Sequence, residues 1–462
     1  MLEELPETLD ETYERVLREI HKVNREHAHR LLQCLTVAVR PLRVAELTEI
    51  LAIDFGATTH GGTSSSNAGW RWEDQERAVL LTCSSLITVV DEKGYQVVHF
   101  SHFTVKEFLT STRLATSSVD VSRFHIQLEP AHTILAKACL GVLLRLDNRV
   151  DKRRLKKTFP LARYAAEHWV THAQFESVLL QIRDGMEYLF DPEKSYFSAW
   201  RRVYDIDVQP LPTADLKFFA LKRSMNRNNA TPLYYAALCG FYDLVELLIT
   251  KHPQFVNAKG GFYTSPLAAA LGRRDFKMAQ LLYQHGADVD VQGCHERTLL
   301  YAASIKGVSE IAQWLLGHSA DPNVRVAAGG ARGWTPLHSA ALYGYPELIR
   351  TLLQFKADKD TKDSMGQISS HLPSSQRRPS AAGPMLKRQD MDINAQDMDG
   401  FTPLHLASGG GQLEVVRLLV EHGADIDVKD KAGWTAFQFA LVKGCDEITK
   451  LLSEHKANKK IL

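Results

Sequence analysis

"TPLHSAALYGYPELIRTLL", Thr335 to Leu353, decides the fold of half the chain. The Thr hydroxyl can cap free N–H groups at the start of a helix. Pro336 suits the first helical position, because its missing N–H would have had no partner there. Gly344, nine residues after the Thr, can end that helix, since glycine takes a left-handed conformation without strain. The second half carries apolar pairs at the spacing of one buried helical face. The stretch predicts two short helices joined by a tight turn.

The phrase recurs along the chain. Its openings are "TPLYYAA" from Thr231, "SPLAAAL" from Ser265, "TLLYAAS" from Thr298, "TPLHSAA" from Thr335, "TPLHLAS" from Thr402 and "TAFQFAL" from Thr435, at steps of 34, 33, 37, 67 and 33 residues. Glycine ends the first helix at Gly240, Gly307, Gly344, Gly411 and Gly444; Arg274 is the exception. The second helices read "DLVELLI", "KMAQLLY", "EIAQWLL", "ELIRTLL", "EVVRLLV" and "EITKLLS", and "HGADVD" and "HGADID" lead into further hairpins. A period near 33 that opens T-P-L-H-x-A is the ankyrin signature.

The step of 67 is two periods, with the middle opening erased. "MGQISSHLPSSQRRPSAAGP", Met365 to Pro384, lies there, and His371 falls where the motif histidine would. Pro373, Pro379 and Pro384 cross the two expected helices, and an interior proline costs roughly 3 kcal/mol. Two accounts fit, a loop expelled from the stack or retained noncoding sequence. The expectation is a looped-out segment over 367–391, with the repeat at Thr402 docked on the one at Thr335. The last two repeats would be marginal alone, and a solenoid needs about three units to bury a continuous core.

The whole chain has 462 residues and a net charge of +1, the composition of a multi-domain soluble protein. Near-neutral charge argues against nonspecific nucleic-acid binding as the main role. The acidic start "MLEELPETLDE" is unlike a signal peptide. The longest apolar run, "ILAKACLGVLL" from Ile134, is interrupted by Lys137 and too short to span a bilayer, so no membrane partner is expected. Six scattered cysteines without C-x-x-C point to reduced thiols and a cytoplasmic location, with no metal or other cofactor.

Residues 1–230 do not repeat. The pattern predicts helices over 7–24 and 27–39, a third over "RPLRVAELTEIL", and a Gly/Ser/Thr-rich loop from Gly56. A helical "ERAVLLTCSSLI" follows, then two strands turned at Lys93-Gly94 and a helix in "TVKEFLTS". Three helices plus a hairpin is a winged-helix layout. The fold class expected is mainly α: an N-terminal helix (1–27), a winged helix (28–115), a helical bridge (116–227) and an α-solenoid of ankyrin repeats (228–462).

"LPETLDETYERVL", "VRPLRVAELTEILAI", "VVHFSHFTVKEFLTS" and "PLARYAAEHWVTHA" resemble the region that follows the NACHT module in fungal NACHT–ankyrin proteins, NOD-like receptors of the STAND class. The winged helix is also similar to the one named after GPI inositol-deacylase. The resemblance implies a receptor in which a NACHT ATPase switches on ligand binding, the winged helix clamps the ADP state and the repeats sense a partner. A NACHT module is thus an implied partner, in cis or in trans. No G-x-x-x-x-G-K-[ST] occurs, so this chain would be the sensor half or a free-standing adaptor, the alternative being a truncated product of a nucleotide-operated ATPase. "HFTVKEFLTS" is similar to the receptor phrase whose His contacts the β-phosphate of ADP, a role that falls on His102. The plainer reading of His102 is a helix cap.

No G-x-S-x-G elbow occurs, "HFSH" lacks further ligands at zinc spacing, and "DKRRLKK" from Asp151 reads as a solvated face. "QRRPS", ending at Ser380, resembles a basophilic kinase site. These readings leave a non-enzymatic module that binds a protein partner through hairpin tips and inner helices. Tip candidates are Tyr263, Arg332, Trp334, Met398, Phe401 and Trp434; inner-helix candidates are Tyr235, Ser339, Leu406 and Phe439. For each, burial between repeats is the competing reading.

Overall fold

The computed structural model describes residues 9–53, 83, 85–147, 155, 157–208, 229–291, 298–326, 333–376, 378–387 and 391–459. The fold is mainly α, and the chain divides into two compact units, residues 1–209 and 210–462. The expected loop from Gly56 and most of the helix expected in "ERAVLLTCSSLI" lie outside the described residues.

In the first unit, α1 (Leu9–Glu19) and α2 (Arg25–Val37) precede a short strand β1 (Leu42–Arg43) and α3 (Val44–Leu51). β2 (Ile87–Glu92) and β3 (Tyr95–Phe100) form an antiparallel hairpin in the order β1-β3-β2, with Val89 and Leu42 both opposite Val98. The hairpin turns at Lys93 and Gly94, both at positive φ. α4 (Phe103–Leu109), α5 (Thr112–Thr116) and α6 (Val119–Ser122) follow.

The apolar run from Ile134 lies in α7 (Leu128–Leu143), buried by α2, α8 (Ala162–His172) and α9 (Glu176–Leu189). A helix apolar on all sides belongs in such a core. Trp169 of α8 packs edge-to-face on Trp200 of α10 (Tyr196–Val203), whose indole N–H donates to the Ala166 carbonyl at 3.0 Å. Several polar groups buried here are paired in chains. The Val39 N–H donates to Tyr164 Oη, which contacts His172, and His172 contacts His132. Glu46 is buried and accepts both guanidinium arms of Arg40.

The second unit is a stack of helix pairs. Inner helices are α11 (Pro232–Cys239), α13 (Pro266–Gly272), α15 (Leu299–Lys306), α17 (Pro336–Tyr343), α19 (His371–Gln376), α21 (Pro403–Gly409) and α23 (Ala436–Val442). Outer helices are α12 (Tyr242–Lys251), α14 (Phe276–Gln284), α16 (Ser309–Gly317), α18 (Pro346–Gln354), α20 (Pro379–Leu386), α22 (Leu413–Glu421) and α24 (Asp446–Lys459). Thr231, Ser265, Thr298, Thr335 and Thr402 each cap an inner helix through the side chain, as their position predicts. The left-handed residue that follows the inner helix is Gly at 240, 307, 344, 411 and 444. Arg274 adopts the same conformation at φ 58° without glycine's freedom.

The expectation of a looped-out segment over 367–391 is corrected: α19 and α20 form a helix pair within the stack. α19 packs between α17 and α21, and α20 between α18 and α22. The prolines were over-weighted because ankyrin helices are short. Pro373 is third in α19 and Pro379 first in α20, where N–H groups have no intrahelical acceptor in any case. Only Pro384 is interior. Against its cost stands burial: Ile368, Leu372, Ala381, Ala382, Met385 and Leu386 are all in the core. The last four repeat the spacing of Leu348, Ile349, Leu352 and Leu353, and that spacing was the overlooked signal in the sequence.

Pro384→Ala is therefore expected to stabilise the array by about 1–2 kcal/mol, by restoring a helical N–H and removing a ring clash. Urea unfolding measures it, and a midpoint that stays or falls would return this segment to the status of a loop.

Candidate interaction surface of the repeat array

The last three hairpin tips are built on a local rule, an aspartate three residues before a glycine. Asp363 Oδ1 accepts the N–H groups of Met365 and Gln367 at 2.8 and 2.9 Å, and Asp397 Oδ1 those of Asp399 and Phe401 at 3.0 and 2.9 Å. Asp430 Oδ1 accepts that of Trp434 at 2.7 Å. Adjacent tips are tied through the backbone, Met398 N–H to the Met365 carbonyl at 2.9 Å and Lys431 N–H to that of Asp399 at 3.1 Å. Gly366 and Gly400 have positive φ. A Cβ on either would meet the next tip's backbone within 3 Å, so glycine is needed twice over.

Below each tip sits the motif histidine. The Nδ1 atoms of His338, His371 and His405 accept the N–H groups of Thr335, Ile368 and Thr402 at 3.2, 3.3 and 3.2 Å. The proton is then on Nε2, which donates at 3.1 Å to the carbonyl of Gln367, Phe401 and Trp434, each in the following repeat. The erased opening thus keeps its inter-repeat bond, although Ile368 has replaced the capping Thr. In the last repeat Gln438 takes the local half of this role, its Oε1 accepting the Thr435 N–H at 2.8 Å. Burial pushes all three imidazoles below their ordinary pKa of 6.5, against the pull of the carbonyls and of nearby aspartates.

The candidate residues divide by exposure. Met398 and Trp434 are exposed at 57% and 39%, and Phe401, Leu406 and Phe439 are half-buried. Phe439 joins the exposed group to the array, with its ring centroid 5.5 Å from Trp434 and 5.4 Å from Phe401. Met365, 54% exposed on the tip next to Met398, was missed because its repeat was read as a loop. Its signal was the spacing Asp363 to Gly366, repeated at Asp397 to Gly400 and Asp430 to Gly433.

Three candidates are corrected. Tyr235 and Ser339 are fully buried on inner helices, and Tyr263 is nearly so, its ring pressed against Gly272. α17, which carries Ser339, is flanked by α15 and α19, and α13 adjoins α11, which carries Tyr235. Trp334 is half-buried over Tyr301, Ile305 and Val326, and its indole N–H donates to Asp363 at 2.9 Å. Arg332 lies outside the described residues.

In the first unit, His102 is the N-cap of α4 and exposed. Its Nδ1 accepts the Thr104 N–H at 3.3 Å and lies 2.7 Å from Thr104 Oγ1, which in turn lies 2.7 Å from Tyr13 Oη. Its proton is consequently placed on Nε2, the nitrogen turned away from the cap.

The profile for ankyrin repeats in three copies matches residues 267–363 and 374–461, and that for a single ankyrin repeat matches 228–260. The profile of the GPI inositol-deacylase winged helix domain matches 17–120. Ankyrin repeats and a winged helix of this type are thus present. The azaphilone pigments biosynthesis cluster protein L of Monascus ruber is 32% identical over 303 residues, 62% of this chain and 61% of that protein. The ankyrin repeat and SOCS box protein 16 of Homo sapiens is 30% identical over 42% of this chain and 43% of its own length. The nuclear factor NF-kappa-B p105 subunit of Gallus gallus is 26% identical over 39% of this chain and 19% of its own length. The chain therefore spans less than two thirds of each of these relatives. Among the described residues, no helix is long and apolar enough to cross a membrane.

The histidine geometry makes the array acid-sensitive. The folded pKa values lie below the unfolded value of about 6.5, so between them the unfolded chain binds more protons. Stability is full above about pH 7 and falls as pH drops through 6.5 towards the lowered folded values, by up to about 1.4 kcal/mol per pH unit for each histidine. Urea titrations from pH 7.5 to 5 should show this slope. The H338Q/H371Q/H405Q variant, with glutamine accepting as Gln438 does, should lessen it, the lowered pKa values of His132, His168 and His172 in the first unit keeping the rest.

Proposed function

We propose that this chain is a non-enzymatic recognition module that captures a protein partner through the tips of its last repeats. The observation that carries the reading is that Met365, Met398 and Trp434 stand exposed on three successive tips whose backbones are bonded to one another. Large apolar side chains on a rigid, pre-formed surface lose little conformational freedom on binding. Tryptophan is an effective anchor for that reason, and methionine adds an adaptable, polarizable apolar contact. Ankyrin repeats in general bind proteins, and the half-buried Phe401, Leu406 and Phe439 extend the strip onto the inner helices.

A finer reading makes the chain the sensor half of a NOD-like receptor, located in the cytoplasm, or an adaptor that meets a NACHT module in trans. The alternative is a truncated product of a nucleotide-operated ATPase. His102 supports this finer reading. Its cap bond commits Nδ1 and leaves an Nε2–H donor on an exposed side chain, the group that a β-phosphate oxygen would accept from.

The tips are tested with the M365S/M398S/W434S variant in quantitative affinity purification from the source cell. The partners recovered by the wild type should fall at least tenfold at unchanged thermal midpoint. Full recovery by the variant would move the binding surface elsewhere. For the receptor reading, this chain should slow ADP release from a NACHT module several-fold and His102→Ala should abolish the effect; equal release with either protein would confine His102 to capping.

A further inference from the structure

The outer helices follow a charge rule with one break. Their second residue is Asp243 in α12, Glu310 in α16, Glu347 in α18, Glu414 in α22 and Glu447 in α24. In α14 that residue is Lys277, but the N-cap Asp275 supplies a carboxylate instead, accepting the Met278 N–H. Such carboxylates offset the partial positive charge at a helix start. α20 has none: its N-cap is Arg378, with no side-chain cap, and its second residue is Ser380. A cation at this end is unfavourable, so the helix with Gly383 and Pro384 inside it also has the wrong charge at its start.

Ser380 also ends the sequence Arg-Arg-Pro-Ser, with arginines two and three residues before the hydroxyl. Arg378 and Ser380 are both exposed. We propose that Ser380 is the acceptor for an arginine-directed protein kinase, and that its phosphate supplies the anion the other outer helices carry in their sequence. The kinase transfers the γ-phosphoryl group of ATP to Ser380 Oγ. An Oγ–P bond forms, the γ-phosphorus bond to the departing ADP breaks, and the hydroxyl proton passes to the kinase's carboxylate base.

Access and effect follow from the same weakness. A kinase reads its arginines on extended chain, which requires the first turn of α20 to open. That opening is cheap where Pro384 removes a helical bond and where Ala381 and Ala382 fill spine positions held by Leu348 and Ile349 in the preceding repeat. Once added, the phosphate carries close to two negative charges at the helix start beside Arg378, and it closes the repeat that opened to receive it. Because α20 packs between α18 and α22, closing it tightens the junction between the two halves of the array.

The test uses the full chain, the catalytic subunit of an arginine-directed kinase and ATP, with mass spectrometry to locate the phosphate. Incorporation at Ser380, lost in Ser380→Ala and slowed at least tenfold in the R377A/R378A variant, is the expected result. Hydrogen exchange of residues 381–387 should slow about two- to fivefold on phosphorylation and in Ser380→Glu, which copies the neighbouring repeats. Phosphate only at other sites, or none where a peptide of residues 373–386 is readily modified, would overturn the site. Unchanged or faster exchange in both the phosphorylated protein and Ser380→Glu would overturn the tightening.

Discussion

The imidazole held between two repeats is the joint on which the last four repeats depend. Its Nδ1 closes the helix start of its own repeat, and its Nε2–H reaches the backbone of the next at 3.1 Å in all three cases. A backbone carbonyl buried at a repeat boundary needs a donor, and leaving it without one costs more than a typical net hydrogen bond gains. Each histidine therefore does locally what a helix cap does and, in the same side chain, couples neighbours in a stack whose repeats contact only the units beside them. That dual role requires a neutral ring, which burial enforces.

Keeping this joint explains how the repeat from Ile368 survives the loss of most of its signature. It has no capping hydroxyl, no Thr-Pro dipeptide at its opening and an interior proline, yet His371 still bonds forwards to Phe401. Gln412 reaches back from the next repeat to the carbonyl of Ser374 in the same α19. In a one-dimensional stack a weak unit is supported from both sides, because each face it buries also covers a neighbour's.

Legibility differed between the backbone scaffold and the binding surface. Thr caps, left-handed glycines and apolar pairs act within a few residues of themselves, so they read directly from the chain. Exposure on an inner helix does not. Tyr235 and Ser339 look like surface positions on an isolated helix pair, and both are fully buried in the stack. Met398 and Trp434 were legible because a hairpin tip projects beyond its neighbours wherever the stack is cut. Met365 was legible only through the spacing Asp363 to Gly366, which the prolines of the following segment obscured.

What the sequence by itself determined is the local conformation of the repeats that keep their signature, where their inner helices begin and stop, and that a winged helix precedes a periodic array. Those outcomes rest on capping, φ preference and periodicity, all short-range. The tertiary structure decided that apolar spacing outweighs the prolines over residues 368–386, that Trp334 is an internal bond to Asp363, and which aromatics face outwards. The physical reason is that the burial offsetting a proline, or closing over a tyrosine, comes from chain about 30 residues away, one repeat period on.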